Sequence, residues 1–276
     1  MTTTTTPPAP RTSAMPTSGA TLPRIIRSEW TKVWSLRSTW WTLLVSFIAT
    51  VGFATLLAWG VSRSLHAMTP QQRATLDVTN LAIAGIGVGQ LVMAVLGSLV
   101  VASEYSTGGI RTTFVAVPNR MRVLLAKVLA FGVIAWAAGT AASFVSFFVA
   151  MTFWEPHHLA ASLSTPAVLR SVFGGGLIAL ASGLLGLALG ALVRHTAGAI
   201  TAAVALLFVV PPLTTLLPGG WGKAISIRFA TNAGQRITEV IHSPGQLRPW
   251  PGYLWMLGEC LALLIIGAWL VRQRDA

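Results

Sequence analysis

The sequence predicts an all-α integral membrane protein: six transmembrane helices preceded by an amphipathic interfacial helix, with both termini on the cytoplasmic side. Three observations carry this. Charged residues are 9% of the 276-residue chain and hydrophobic ones 54%, against about 25% and 45–50% in soluble domains. A soluble core cannot use that much apolar surface, so the bilayer must solvate much of it. Six segments each supply the roughly 20 mostly apolar residues that a spanning helix needs. Lysines and arginines gather on one side of those segments. The net charge of +12 therefore reflects topology and not nucleic acid, because the positives flank apolar runs and form no separate face.

Taken in order, residues 1–22 are rich in Thr, Pro and Ser with little to bury, and read as a disordered N-terminal tail. They lack the apolar core of a signal peptide. The membrane domain fills 23–276. Its first element, 23–40, has helical periodicity. Ile25, Ile26, Trp30, Val33, Trp34, Leu36 and Trp40 fall on one side, and Arg24, Arg27, Ser28, Thr31, Lys32, Ser35 and Ser38 on the other. Glu29 and Arg37 break the pattern: Glu29 can pair with Lys32 three residues on, and Arg37 can snorkel. Such a helix lies in the interface plane; a positively charged flank that only orients the first span fits the same residues.

The spans are 41–61, 80–102, 124–153, 172–193, 197–217 and 252–271. The third is long enough to tilt or protrude. Only Arg194 and His195 separate the fourth from the fifth, so the chain must turn tightly there. Trp40, Trp41, Trp59, Trp154, Trp221, Trp250, Trp255 and Trp269 stand near span ends, as an interfacial belt requires. With the N-terminus inside, twelve of the 19 lysines and arginines are cytoplasmic and seven lie outside. Pro211 and Pro212 must interrupt the backbone bonding of the fifth span. In the outer loop, 218–251, Ile225, Phe229, Ala233, Ile237 and Ile241 recur every four residues and predict an amphipathic helix that dips back to the membrane. The single cysteine, Cys260, excludes an intramolecular disulfide and reads as packing.

The most patterned polar interruption is 103–127, SEYSTGGIRTTFVAVPNRMRVLLAK. Gly108 and Gly109 suit the end of a helix continuing the second span, since glycine accepts the left-handed C-terminal conformation. Pro118 holds Val117 extended and sets a turn. Between them, residues 110–117 make one or two helical turns, a small element projecting between two long helices. Glu104 stands among positives and is expected to pair with Arg27, Lys32 or Arg37, tying the interfacial helix to this loop.

This arrangement resembles the permease subunit of a type-2 ABC exporter of the actinobacterial kind. The resemblance rests on RSEWTKVWSLRSTWWTLL (27–44), the 103–127 loop, GLALGALVRHTAGAI (186–200) and NAGQ (232–235), and covers most of the chain from Arg24 onward. It implies that the loop carries a coupling helix which docks on a separate ATPase, with Glu104, Gly108, Arg111, Pro118, Arg120 and Lys127 in that role. It also implies a second permease copy or homologue, and a path between the two lined partly by the second and fifth spans. Gln90, Ser98, Thr201 and Thr214 are the candidates for that lining. The chain departs from the pattern at Gly109, where relatives often carry a small hydroxyl residue.

No catalytic chemistry is expected. The segment PGGWGKA (218–224) is the nearest approach to a phosphate loop, but Leu217 stands where the first glycine belongs and Ala224 where the hydroxyl belongs. ATP and magnesium are expected on the partner ATPase, with no cofactor or metal in this chain. The histidines show no ligand spacing. Glu259, mid-way along the sixth span, costs on the order of 3 kcal/mol as a charge, so it is protonated, paired or facing a polar path. An alternative reading makes it the coupling group of an ion- or proton-coupled transporter or channel that needs no ATPase. Internal inverted repeats would favour that reading, and none is visible. A non-transporting membrane scaffold is the third reading. The cell membrane is the expected location, and the wall residues imply an amphipathic or lipid-like cargo at most.

Overall fold

The computed structural model describes residues 21–273 apart from 118, 158 and 243. Every regular element among them is helical. The expected tail lies almost wholly outside these residues, and so does Pro118. Six helical stretches are long and apolar enough to cross a membrane: Arg37–Ala67, Ile86–Ser106, Arg120–His157, Pro166–Val193, Thr196–Thr215 and Pro249–Gln273. The chain is thus a multi-pass membrane protein built as one helical bundle.

Helix α1 (Leu22–Ser35) starts with Pro23 in its first turn, where the missing amide would have had no partner anyway. It ends earlier than the periodicity predicts. Leu36 adopts extended angles (φ −85°, ψ 111°), and residues 37–40 already belong to α2 (Arg37–Ser64). The turned chain is held by the Trp40 indole N–H, which donates to the Trp34 carbonyl at 3.1 Å.

The second span also starts later than expected. A short α3 (Pro70–Ala74) is followed by α4 (Val78–Ala82), which Asp77 caps by accepting from the Asn80 amide at 2.9 Å. The chain then turns through 83–85 before α5 (Ile86–Ser106). At this break the chain passes close under α2. A Cβ on Gly85 would lie 1.9 Å from the Thr50 carbonyl oxygen, so the backbone passes under α2 where a regular side chain cannot. At its other end α5 runs past the predicted boundary and carries Glu104 in its last turn.

Gly108 has φ 74° and separates α5 from α6 (Gly109–Ala116), as the glycine pattern predicts. Asn119 caps α7 (Arg120–Trp154), which spans 35 residues, about 52 Å at 1.5 Å per residue. That exceeds a roughly 30 Å hydrocarbon core. Helix α8 (Pro166–Val193) is the centre of the bundle: 78% of its apolar window is buried, against 22% for α2. It packs against α5, α7 and α13 (Pro249–Gln273). Arg194 ends α8 in the left-handed region (φ 58°). Its side chain offsets that strain by donating to the Leu270 carbonyl and stacking over Tyr105.

The fifth span is composite. Helix α9 (Thr196–Val204) passes into a wider π turn over Ala205–Val209 and then α10 (Val210–Thr215). Pro211 and Pro212 lack the amides that would continue the ladder, so its register slips just before them.

The outer loop does not form the single amphipathic helix expected of 218–251. It breaks into α11 (Gly219–Arg228), α12 (Ala230–Gly234) and a tight turn of helix at Gln235–Thr238, with an extended kink at Phe229. Ala233 and Ile237 are buried while Ile225 and Ile241 are exposed, so the repeat does not share one face. Gly234 and Gly252 allow the close approach of α12 to α13, and the segment dips back against the bundle. Asp77 anchors it by accepting from the Val240 and Ile241 amides at 2.8 and 3.1 Å. Trp154 also departs from expectation. It is fully buried and donates to the Ala58 carbonyl at 3.1 Å, so it is a core residue and no part of an interfacial belt.

Candidate functional site

At the α6 end, four charges from three elements form a closed ring. Lys127 of α7 donates to Glu29 Oε2 at 2.8 Å and to Glu104 Oε1 at 2.7 Å. Lys32 donates to Glu29 Oε1 at 2.7 Å and to Glu104 Oε1 at 3.2 Å. Lys127 and Glu29 side chains are 3% and 5% exposed, Glu104 19% and Lys32 43%. Two carboxylates and two ammonium groups face one another, so each buried group has an opposite partner among the apolar helices. The ring joins α1, α5 and α7.

Of the three partners expected for Glu104, Lys32 is the one that meets it. Arg27 and Arg37 are exposed on α1 and at the start of α2. The larger finding is Glu29. Its charge interrupts the apolar side of α1 because that position turns into the protein beside Ile25, while Trp30 and Trp34 face outward. An acid on an otherwise apolar helical face, one turn after a buried isoleucine, was the available signal. Lys127 departs from its expected loop position: it lies two turns inside α7, is buried, and presents no surface to a second protein.

Burial alone would raise the Glu29 carboxyl, but the Lys127 charge and hydrogen bonds from Lys127 and Lys32 outweigh it and hold it below its ordinary 4.5. Burial would lower the Lys32 ammonium, yet Glu29 and Glu104 hold it above its ordinary 10.5. The signs follow from linkage. Glu29 contributes stability above pH 4.5, lost as pH falls through its lowered value. Lys32 contributes below pH 10.5, lost as pH rises through its raised value. Thermal unfolding in detergent is expected to show wild type and Glu29→Gln far apart at neutral pH and converging as the pH falls below 4.5 through the lowered Glu29 value. A gap that stays constant into acid would remove Glu29 as the titrating group.

Beyond the ring, Ile110 of α6 is 5% exposed and anchors the short helix, whereas Val115 is 86% exposed and Thr112 also faces out. Arg111 stands in the first turn of α6. Arg120 bridges to the far end of α13, donating to the Val271 carbonyl at 2.9 Å and stacking over Phe114. Gly109 has no left-handed angle, and a Cβ there would meet Thr107 Oγ1 at 3.5 Å and the Glu104 carbonyl oxygen at 3.9 Å, both ordinary contacts, so the position has room for a small side chain.

The four candidates for a path do not come together. Gln90 is 2% exposed with no partner for its Oε1 among the described residues, and it lines a cavity of about 200 Å³ with Asn80, Gln235, Thr238 and Glu239. Ser98 is fully buried and bonds the Val95 carbonyl of its own helix. Thr214 is likewise occupied, donating to the Pro211 carbonyl and accepting from Asn232. Thr201 faces outward. Glu259 accepts from the Trp255 indole of its own helix at 2.5 Å and does not line this cavity. No group of acids, histidines or cysteines among the described residues has metal-site geometry. No protein-family model matches the chain, and neither does any curated protein.

Proposed function

We propose that the chain is the membrane subunit of an ATP-driven exporter of the type-2 ABC kind. It works with a second permease, itself or a relative, and with separate ATPase subunits that dock on α6. One observation carries this reading: α6 is a short helix held out between two long ones, and its neighbours are latched to α1 by the ring of Glu29, Lys32, Glu104 and Lys127. A load applied to α6 therefore reaches α1, α5 and α7 together. Glu104 and Lys127 would act in coupling from behind the docking surface. The exposed side of α6, with Thr112 and Val115, would meet the partner. The path would run between the two permeases, and of the four candidates Thr201 is the one exposed enough to face a second subunit.

The test is recovery of partners from native membranes with the tagged full chain. An ATP-binding protein is expected to co-purify, and Val115→Asp is expected to lose at least about nine-tenths of it, since a charge in the centre of a buried contact costs several kcal/mol. The thermal midpoint of the variant should be unchanged, because Val115 touches little of its own chain. Recovery of no ATP-binding partner by wild type would end the proposal.

A further inference from the structure

Helix α1 leads into the first spanning helix through the kink at Leu36. Its only acid is Glu29, which is buried and held by Lys32 and Lys127. The outward surface is left with positive charges alone. Arg24 and Arg27 are exposed, and so is Arg37 at the start of α2. None of these three guanidinium groups has a hydrogen bond or ion pair among the described residues.

The outward residues are ordered around the helix. At about 100° per residue, Trp34 lies roughly 40° from Trp30, Arg27 about 20° past Trp34, and Arg24 about 60° past Arg27. Ser35 and Ser28 come next, both exposed, before the buried face of Ile25 and Glu29 begins. The indole side is a continuous ledge: the rings of Trp30 and Trp34 are 5.7 Å apart, and those of Trp34 and Trp40 4.2 Å apart. Indole, guanidinium and hydroxyl thus follow one another, matching the passage from acyl boundary through lipid phosphates to water. A soluble anion or an acidic protein would match the arginines but not three exposed indoles beside them at the root of a spanning helix. An anionic phospholipid matches both.

We infer that the outward face of α1 binds anionic phospholipid, its phosphates at Arg24, Arg27 and Arg37 and its acyl chains against Trp30, Trp34 and Trp40. Each arginine at an anionic surface contributes about a fivefold preference, so the three select anionic over zwitterionic lipid by on the order of a hundredfold. The surface needs only the membrane-spanning fold and no ATPase docking at α6. Glu29 and Lys32 tie α1 to α5 and α7, so lipid held on α1 steadies that end of the bundle.

The test places a fluorophore on Ser28→Cys in the full chain, where the native Cys260 is buried and does not react. The protein is reconstituted in phosphatidylcholine vesicles carrying a minor fraction of nitroxide-labelled phosphatidylglycerol or phosphatidylcholine. Quenching is expected to show phosphatidylglycerol preferred on the order of a hundredfold beside α1. The pair Arg24→Gln, Arg27→Gln should lower this to about fivefold, the share of Arg37, while Arg24→Lys, Arg27→Lys should keep most of it. The thermal midpoint in detergent should not move in either pair, since neither arginine has a partner to lose. Equal quenching by the two lipids, a preference unmoved by the glutamine pair, or displacement by inorganic phosphate where chloride of equal ionic strength does nothing would overturn the inference. The readout is lipid and not partner recovery, so its failure is separable from failure of the exporter reading.

Discussion

Replacing Lys127 with methionine is expected to destabilise the protein by about 3–5 kcal/mol, the cost of removing one partner from a buried ion pair. Lys127 is 3% exposed and opposes two carboxylates at 2.7 and 2.8 Å. Without it Glu29, itself 5% exposed, keeps only Lys32. Methionine fills the space of the lysine stem, so the loss reports charge and not a cavity. The double variant Glu29→Leu, Lys127→Met leaves the Lys32–Glu104 pair at the better-exposed side of the ring. It should be more stable than the sum of the single losses predicts by about 1–3 kcal/mol, as coupled residues are. Thermal unfolding in detergent at one scan rate gives the comparison. Losses that add to within about 0.5 kcal/mol would show that the ring does not act as a unit.

The sequence was informative about what composition and local chemistry decide, and silent where tertiary contacts decide. Six spans were legible because about 20 apolar residues have no other stable use. The turn at Gly108 was legible because its requirement is local: a left-handed residue between two helices. The breaks at Leu36, Gly85 and Phe229 were not. Gly85 precedes α5 where the chain passes close under α2, and no pattern within one segment records the other. Lys127 was given a coupling role by the resemblance of the 103–127 segment, although Asn119 is a capping residue and starts α7 at Arg120. The ring was half legible. Glu104 and Lys32 could be matched by charge, but Glu29 and Lys127 lie 98 positions apart and meet only because α1 folds back on α7.

The second large effect is expected at the seam between α5 and α8. A Cβ on Gly186 would lie 1.9 Å from the Ala94 carbonyl oxygen, one on Gly97 2.1 Å from the Gly183 oxygen, and one on Gly190 2.6 Å from the Ser98 oxygen. These obstacles are backbone and cannot swing aside as a side chain would. Apolar burial gives helices little reason to associate in lipid, so close packing must supply the attraction. Overpacking a core costs about 1–3 kcal/mol and occasionally more. Gly186→Ala is therefore expected to lower stability by at least the upper part of that range, and Gly186→Leu to yield no folded protein. Gly52→Ala is the control: nothing lies within 4 Å of a Cβ there, and alanine favours a helix interior by about 0.5–1 kcal/mol. Equal effects at 186 and 52 would show that the seam is loose. If the seam is tight, α5 cannot slide along α8 without forcing each glycine past a carbonyl. A displacement of α6 and the charge ring would then have to move α5 and α8 together, which makes that pair the rigid lever of the bundle.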